Sequence, residues 1–166
     1  DLSDLQEIAP FFKTKFGIFL GKKIIKWLGI KKVNDIHAKH CHLRGADFTT
    51  ALLQDPLMDI KYNVHNAELL DTLPEGAFIT ISNHPFGHID GIMLIDIFAA
   101  RRSDFAVMVN GVLTKIGAME DNFISVQPDS KNRGANVANV NGVRTSLERL
   151  KSGHPMGFFP AGAISF

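Results

Sequence analysis

A histidine and a carboxylate stand close together in residues 83–91, which read Asn-His-Pro-Phe-Gly-His-Ile-Asp-Gly. A carboxylate beside one imidazole nitrogen fixes the ring's tautomer and stabilises the imidazolium, so that the other nitrogen can act as a general base. Such a pair without a protein nucleophile suits direct transfer, in which an acceptor hydroxyl or amine loses its proton and attacks an activated acyl carbonyl. His84 and Asp90 are therefore the candidate catalytic pair, although this spacing by itself also fits an ordinary polar loop at the start of a helix.

The elements on either side predict how the pair is brought together. Residues 77–82 (AFITIS) have the short, β-branched pattern of a buried strand, and residues 89–102 have the pattern of a helix. Sites in α/β proteins form at the carboxyl ends of strands. His84 follows such an end, and Asp90 falls in the first turn of a helix, where a carboxylate is favoured by the helix dipole.

The rest of the chain alternates between strand and helix patterns. Further strands are predicted at 60–64, 105–109, 123–126 and 156–159, and further helices at 47–55, 111–119 and 137–151. Residues 31–45 are interpreted as a solvated connector and residues 130–136 as a polar loop. This alternation predicts an α/β fold with a mixed, largely parallel sheet flanked by helices, preceded by an N-terminal helical segment.

The segment around His84 resembles the first sequence block of the glycerolipid (lysophosphatidic acid type) acyltransferase superfamily, in which Asn-His is followed by Asp after four residues. Five residues separate His84 and Asp90, as in the hemolysin-like and ornithine-lipid acyltransferase branch, whose block is Asn-His-Pro-x-Gly-x-x-Asp-Gly. Residues 159–162 read Phe-Pro-Ala-Gly, the form that this branch has in place of Phe-Pro-Glu-Gly. The two blocks occur in the expected order, and the resemblance covers residues 60–166.

The resemblance implies an acyltransferase of membrane lipid synthesis, including phospholipid synthesis. A fatty acyl group would move from a thioester of acyl carrier protein or coenzyme A to a lyso-lipid acceptor, with no metal or organic cofactor. His84 would be the base and Asp90 the residue that orients it. The acceptor or the oxyanion would contact six further residues: Asn83, Gly91, Phe159, Pro160, Gly162 and Ser165.

Two departures from the superfamily pattern bear on the acceptor. The arginine that usually follows in the second block is replaced by Ile164, and the arginine of a middle block has no clear counterpart in residues 123–128. A guanidinium is the best bidentate partner of a phosphate. An aminoacyl or related lyso-lipid hydroxyl is therefore expected as the acceptor in preference to lysophosphatidic acid or glycerol 3-phosphate, although Arg133 or Arg144 could supply a charge. Members of the superfamily usually continue beyond this block, so the C-terminal part of the family fold is expected to be missing.

Parts of the sequence suggest three other classes of function. His84, His88 and Asp90 invite a metal site, but the metallo-hydrolase pattern His-x-His-x-Asp-His would need histidines at Phe86 and Gly91, so no metal is expected. A lipid-binding module without catalysis remains an alternative. A nucleic-acid partner is not expected, because Arg44 is the only arginine of the basic N-terminal residues.

The N-terminal residues differ in charge from the remainder. Residues 1–44 hold nine Lys/Arg and four Asp/Glu, a net charge of +5, whereas residues 45–166 have a net charge of −4. Residues 8–30 combine a broad aromatic face with a lysine stripe, which fits an interfacial membrane helix and equally a helix packed on its own domain. No run of 18 apolar residues occurs. We therefore expect a basic amphipathic segment (1–44) before an acyltransferase domain (45–166), held peripherally on the anionic cytoplasmic face of the cytoplasmic membrane.

Overall fold

The computed structural model describes residues 13–14, 17–18, 30–111, 113, 116–127, 133–162 and 164. Four helices lie within these ranges: α1 (Ile30–His40), α2 (Gly45–Gln54), α3 (His88–Ala99) and α4 (Arg133–Lys151). The strands are β1 (Ile79–Ile81), β2 (Ala106–Asn110), β3 (Phe123–Val126) and β4 (Met156–Phe158), and 3-10 helices span Ala67–Thr72 and Gly117–Asn122.

The four strands form one parallel sheet in the order β1-β4-β2-β3. Ile81 is in register with Phe158, and Asn110 with Val126. All four carboxyl ends therefore meet at one edge, and the residues that follow β1 lie beside those that follow β4. The predicted α/β fold with a largely parallel sheet is confirmed.

Helices cover the two faces of the sheet. Ile95 of α3 packs with Phe105 and Val107 in a buried cluster on one face. Ala106, Ile124 and Met156 form the other face, with Leu150 of α4 packed against them. The alternation of Ala106 and Val107 between the two clusters follows from the two-residue period of a strand, and it places α3 and α4 on opposite sides of the site edge.

The predicted strands at 77–82, 105–109, 123–126 and 156–159 are confirmed, but the strand at 60–64 is wrong. Residues 59–64 have no regular structure. The Ile60 amide donates to the Leu53 carbonyl at 3.0 Å, and the Tyr62 hydroxyl donates to Asp96 of α3. This segment therefore crosses the α2–α3 pair. Its alternation of apolar and polar residues arises because one side of the chain contacts these helices and the other does not.

Two predicted loops are helical. The loop at 130–136 is wrong from Arg133 onwards, where α4 begins, and residues 128–132 lie outside the described part. The connector at 31–45 is wrong because α1 occupies most of it. Ile36 is 1% exposed, and its neighbour His37 meets the Phe48 ring edge-on at 5.8 Å between centroids. One turn later, His40 Nε2 lies 2.9 Å from a buried Asp55 carboxylate, so a single face of this polar stretch is packed.

The predicted N-terminal helix at 8–30 lies outside the described residues apart from 13–14, 17–18 and 30. The predicted helix at 111–119 is described only in part, and its end belongs to the 3-10 helix Gly117–Asn122. Within the described ranges, no helix is both long enough and apolar enough to cross a membrane.

Candidate active site

His84 and Asp90 lie together at the carboxyl edge of the sheet. His84 Nδ1 is 3.1 Å from Asp90 Oδ2, and the two side chains are 19% and 10% exposed. The histidine comes three residues after the end of β1, and the aspartate is in the first turn of α3. The pair suggested by the sequence is thus within contact distance in the fold.

The connection between β1 and α3 wraps around the carboxylate. The Phe86 amide donates to Asp90 Oδ2 at 2.9 Å, and the Asp90 amide donates to the Gly87 carbonyl at 3.1 Å. Gly87 has a φ of +62°, a conformation that other residues adopt only with strain. A turn that needs glycine therefore folds the chain back, and the same turn gives the buried carboxylate a backbone donor in addition to the imidazole.

The Phe159 ring, from the second sequence block (residues 159–162), lies against His84. The imidazole of His84 and the ring of Phe159 are stacked, with 4.2 Å between centroids and an interplanar angle of 27°. The Ser82 amide donates to the Phe158 carbonyl at 3.4 Å, which continues the β1–β4 ladder up to this contact. Asp90 thus contacts the edge of the imidazole, and Phe159 covers one of its faces.

The remaining residues of the second block form a turn at the same edge. The Gly162 amide donates to the Phe159 carbonyl at 3.0 Å, and Gly162 has a φ of +63°. Pro160 is exposed at the apex of this turn. The Ile164 side chain would lie 3.5 Å from a methyl group placed on Gly87, so it lies directly over the turn that holds the candidate pair.

The other predicted contact residues differ in their placement. Gly91 is buried in α3, and a methyl group placed there would lie 4.0 Å from the Phe159 ring. Asn83 is exposed and precedes His84 in the chain. Ser165 lies outside the described residues.

His84 lines a cavity of about 760 Å³, within the range of roughly 300–1,000 Å³ that is usual for small-molecule sites. Elements from both faces of the sheet supply its wall. Most of the side chains in this wall are apolar, and they include Ile36, Phe48, Leu52, Met58, Ile92, Met108, Val109, Leu113, Ile116, Met119, Phe123, Val126, Val143, Phe158, Phe159 and Ile164.

The polar side chains of this wall are few. Three histidines (His37, His84 and His88) and three amides (Asn110, Gln127 and Asn139) line it, and the described lining residues include no Lys, Arg, Asp or Glu. Arg144 pairs with Glu148 at 3.1 Å on the exposed side of α4. In the described part of the chain, no three His, Cys, Asp or Glu side chains are grouped as metal ligands would be.

A second histidine–aspartate pair lies at the other end of the sheet. His154 Nδ1 is 2.8 Å from Asp104 Oδ2, just before β4 and β2 begin. Arg102 donates to both carboxylate oxygens, at 3.0 and 2.9 Å. These bonds, with a smaller contribution from His154 and against the effect of burial, lower the pKa of Asp104 to about 2.

Part of the cavity wall was not predicted from the sequence. Ile36 belongs to a segment that was interpreted as a connector, and Asn139 is one of several asparagines on a long helix. Asn110 could have been found, because it ends a strand at the edge where sites form. Phe48 and Leu52 carry the ordinary spacing of a core helix and offer no signal of a site.

The acyltransferase family model matches residues 5–166, nearly the whole chain. No curated protein and no solved structure matches it. The matched range includes both sequence blocks and every described residue of the site. The chain therefore belongs to the acyltransferase family, and acyl transfer is the activity that this membership supports.

Proposed function

We propose that the chain transfers a fatty acyl group from an acyl thioester to the hydroxyl of a lyso-lipid, with His84 as the general base. The observation that carries this proposal is the 3.1 Å contact of His84 Nδ1 with the buried Asp90 carboxylate, at the wall of a largely apolar cavity.

The chemistry follows from which imidazole nitrogen faces the carboxylate. Asp90 favours the tautomer with the proton on Nδ1, which leaves Nε2 as the base. Nε2 takes the proton of the acceptor hydroxyl while the hydroxyl oxygen attacks the thioester carbonyl carbon. The tetrahedral intermediate collapses, the carbon–sulfur bond breaks, and the leaving sulfur takes the proton from Nε2. The products are an ester and a thiol, and His84 returns to its neutral form.

Phe159 and the turn that follows it have a supporting part in this mechanism. Stacking against Phe159 limits rotation of the imidazole, so the ring loses less rotational freedom when the substrates bind. The oxyanion needs a donor at the position where negative charge develops. The Gly162 amide already donates to the Phe159 carbonyl, so it could serve the oxyanion only if the turn opened.

The apolar wall of the cavity suits a fatty acyl chain. Burial of each methylene contributes about 0.8 kcal/mol, so several buried methylenes are enough to hold the donor. A thioester of acyl carrier protein or coenzyme A is already activated, and on this proposal the reaction uses no metal or organic cofactor. We place the acceptor among the aminoacyl or related lyso-lipids, because Ile164 occupies the position where a phosphate-binding arginine would otherwise follow the second block.

The direct test is acyl transfer by His84→Ala, with thiol release as the readout. We expect turnover to fall to background while the thermal transition is retained. His154→Ala is the matched control, because it removes a histidine from a His–Asp contact that lies outside the cavity wall. Full turnover by His84→Ala would refute the proposed base. Mass-spectrometric lipid profiles of cells with and without the full-length gene would identify the acceptor.

A lipid-binding module is the second candidate, favoured by the same apolar cavity. It predicts saturable binding of acyl lipid with no thiol released and no new ester. Binding at equal affinity in the native chain and in His84→Ala, without product from either, would support this candidate over the enzyme.

The net charge of +5 in residues 1–44 supports a further proposal, that the chain binds the anionic cytoplasmic face of the cytoplasmic membrane. Flotation with vesicles of phosphatidylglycerol and phosphatidylcholine tests it. Binding should weaken as salt is raised, because charge attraction to such vesicles is screened. Binding that is absent at low salt would count against it.

A further inference from the structure

We propose that the polar headgroup of the acceptor binds at an amide cluster formed by Gln127 and Asn139 beside Asn110, and that the part of the headgroup bound there is an uncharged amide or hydroxyl group. The proposal rests on the acyl transfer proposed above and names the chemical class of the acceptor. All three side chains line the cavity that also contains His84.

Strand pairing brings two of the amides to one place. Asn110 is the last residue of β2 and is in register with Val126, the last residue of β3. Gln127 follows immediately. A methyl group placed on Gly111 would lie 4.0 Å from Gln127 Cγ, so the chain segments that leave the two strands run close together.

Close packing of α4 on β3 places the third amide. A methyl group on Gly142 would lie 2.5 Å from the Ser125 carbonyl oxygen and 2.6 Å from Val126 Cγ1, so only glycine allows this approach. Asn139 is three residues earlier, nearly one helical turn, and its Oδ1 accepts a hydrogen bond of 2.6 Å from the Gln127 amide. Since Oδ1 is committed to the backbone, the Nδ2 group is the end that can donate to a ligand.

Part of the apolar wall comes from two helices that carry none of the three amides. Ile36, Phe48 and Leu52 belong to α1 and α2, and α2 packs on α3, on one side of the sheet. Asn139 belongs to α4 on the other side. An amphipathic substrate would satisfy both parts of the cavity at once, with its acyl portion towards α1 and α2 and its polar group at the amides.

Amide side chains select for a particular headgroup. Each offers both donors and an acceptor without a net charge, which complements an amide or a hydroxyl group. A phosphate monoester is usually bound by charged donors, whose hydrogen bonds are roughly twice as strong as neutral ones. One neutral hydrogen bond contributes about 0.5–1.5 kcal/mol, equivalent to about a two- to twelvefold change in affinity.

Asn139→Asp in the full chain tests the proposal. Aspartate keeps an oxygen for the Gln127 amide but replaces the Nδ2 donors with a charged acceptor. Asn141→Asp is the matched control, because it makes the same change two residues along the helix, at an exposed position outside the cavity wall. Two lyso-lipids of equal chain length serve as acceptors, one with an amide and hydroxyl headgroup and one with a phosphate monoester.

We expect the native chain to prefer the uncharged acceptor. Asn139→Asp should raise the KM for that acceptor about tenfold or more, with the KM for the acyl thioester unchanged, and Asn141→Asp should leave both unchanged. If Asn139→Asp fails to fold, Gln127→Ala replaces it, since the Gln127 backbone amide is retained; the expected rise is then about threefold to tenfold.

The outcomes separate this inference from the function on which it rests. A native chain that prefers the phosphate acceptor, or equal KM values for Asn139→Asp and Asn141→Asp, would overturn the amide cluster while acyl transfer stands. Thiol release from neither acceptor would overturn both. A change confined to the KM for the thioester would assign Asn139 to the donor and would also overturn the inference.

Discussion

Asp90→Asn separates the charge of the carboxylate from its shape. Asparagine keeps an oxygen that can accept the Phe86 amide, which is now 2.9 Å from Asp90 Oδ2, so the turn between β1 and α3 should be retained. At the position of Oδ2, that oxygen also lies 3.1 Å from His84 Nδ1, so it can still accept the imidazole proton. Because the amide is neutral, it no longer stabilises the imidazolium that forms when Nε2 takes the proton of the acceptor.

The expected loss of rate follows from the distance and the burial of the pair. Two unit charges about 4 Å apart attract by about 4 kcal/mol at an effective dielectric constant of about 20. Asp90 is 8% exposed, so solvent screens this attraction only in part. Loss of about 4 kcal/mol of transition-state stabilisation lowers kcat/KM by about 10³.

The assay is thiol release from an acyl thioester in the presence of a lyso-lipid acceptor. Asp104→Asn is the matched control: it makes the same change in a His–Asp contact of 2.8 Å that does not line the cavity. We expect Asp90→Asn to lose about 10³ in kcat/KM with little change in thermal stability, and Asp104→Asn to retain activity but melt earlier. A loss of less than about tenfold in Asp90→Asn, with unchanged thermal stability, would show that the carboxylate does not support a histidine base.

Three further predictions concern the fold. Acid should reduce the excess thermal stability of the native chain over Asp104→Asn. The pKa of Asp104 is lowered to about 2 from its ordinary value of 3.8, so the stabilisation by this carboxylate is present above the unfolded-state pKa and is lost as pH falls through the folded-state pKa. A constant difference in melting temperature between pH 5 and pH 2 would contradict this. Gly142→Ala should destabilise the fold by about 1–3 kcal/mol, because its methyl group would overlap the Ser125 carbonyl oxygen at 2.5 Å. Gly76→Ala is the control, since nothing lies within 4 Å of a methyl group placed there. Equal midpoints of chemical denaturation for the two variants would refute the close packing of α4 on β3. Burial, together with the hydrogen bond to Asp96, raises the pKa of Tyr62 well above its ordinary value of 10.0. Because Tyr62 is the only tyrosine, its phenolate absorbance can be followed alone, and this absorbance should appear at lower pH in Asp96→Asn. Titration of Tyr62 at its ordinary pKa in the native chain would exclude the contact.

The residues at the strand ends could be predicted from the sequence, because they carry local signals. The pattern at 77–82 identifies a strand, and Pro85 and Gly87 identify the break after it. The rule that sites form at the carboxyl ends of strands then brings His84 and Asp90 to one edge. Stacking of Phe159 on His84, which is 75 positions earlier in the chain, depends in addition on the pairing of β1 with β4, and no local pattern specifies this pairing.

The incorrect predictions share one physical cause, because each concerns a segment whose structure is determined by tertiary contacts. The alternating pattern of residues 60–64 is also what a chain needs when one side rests on helices, and the bond from Tyr62 to Asp96 is not visible in it. The polar residues 31–40 form a helix because Ile36, His37 and His40 lie on one face and find partners in α2 and Asp55. Propensity and composition are weak guides where so few contacts decide the outcome.

Two of the His–Asp contacts, one at each end of the sheet, show why position, and not residue chemistry, distinguishes a candidate active site in this fold. The contact between His154 and Asp104 is shorter than that between His84 and Asp90, 2.8 Å against 3.1 Å. Arg102, which donates to Asp104, also donates to the carbonyls of Pro74, Gly76 and Gly153. The Asp104 carboxylate therefore helps to connect the loops at the amino ends of the strands. Asp90 receives one backbone amide and faces a histidine that lines a cavity of about 760 Å³. A base must reach a substrate as well as a carboxylate, and of these two histidines His84 is the one that lines the cavity.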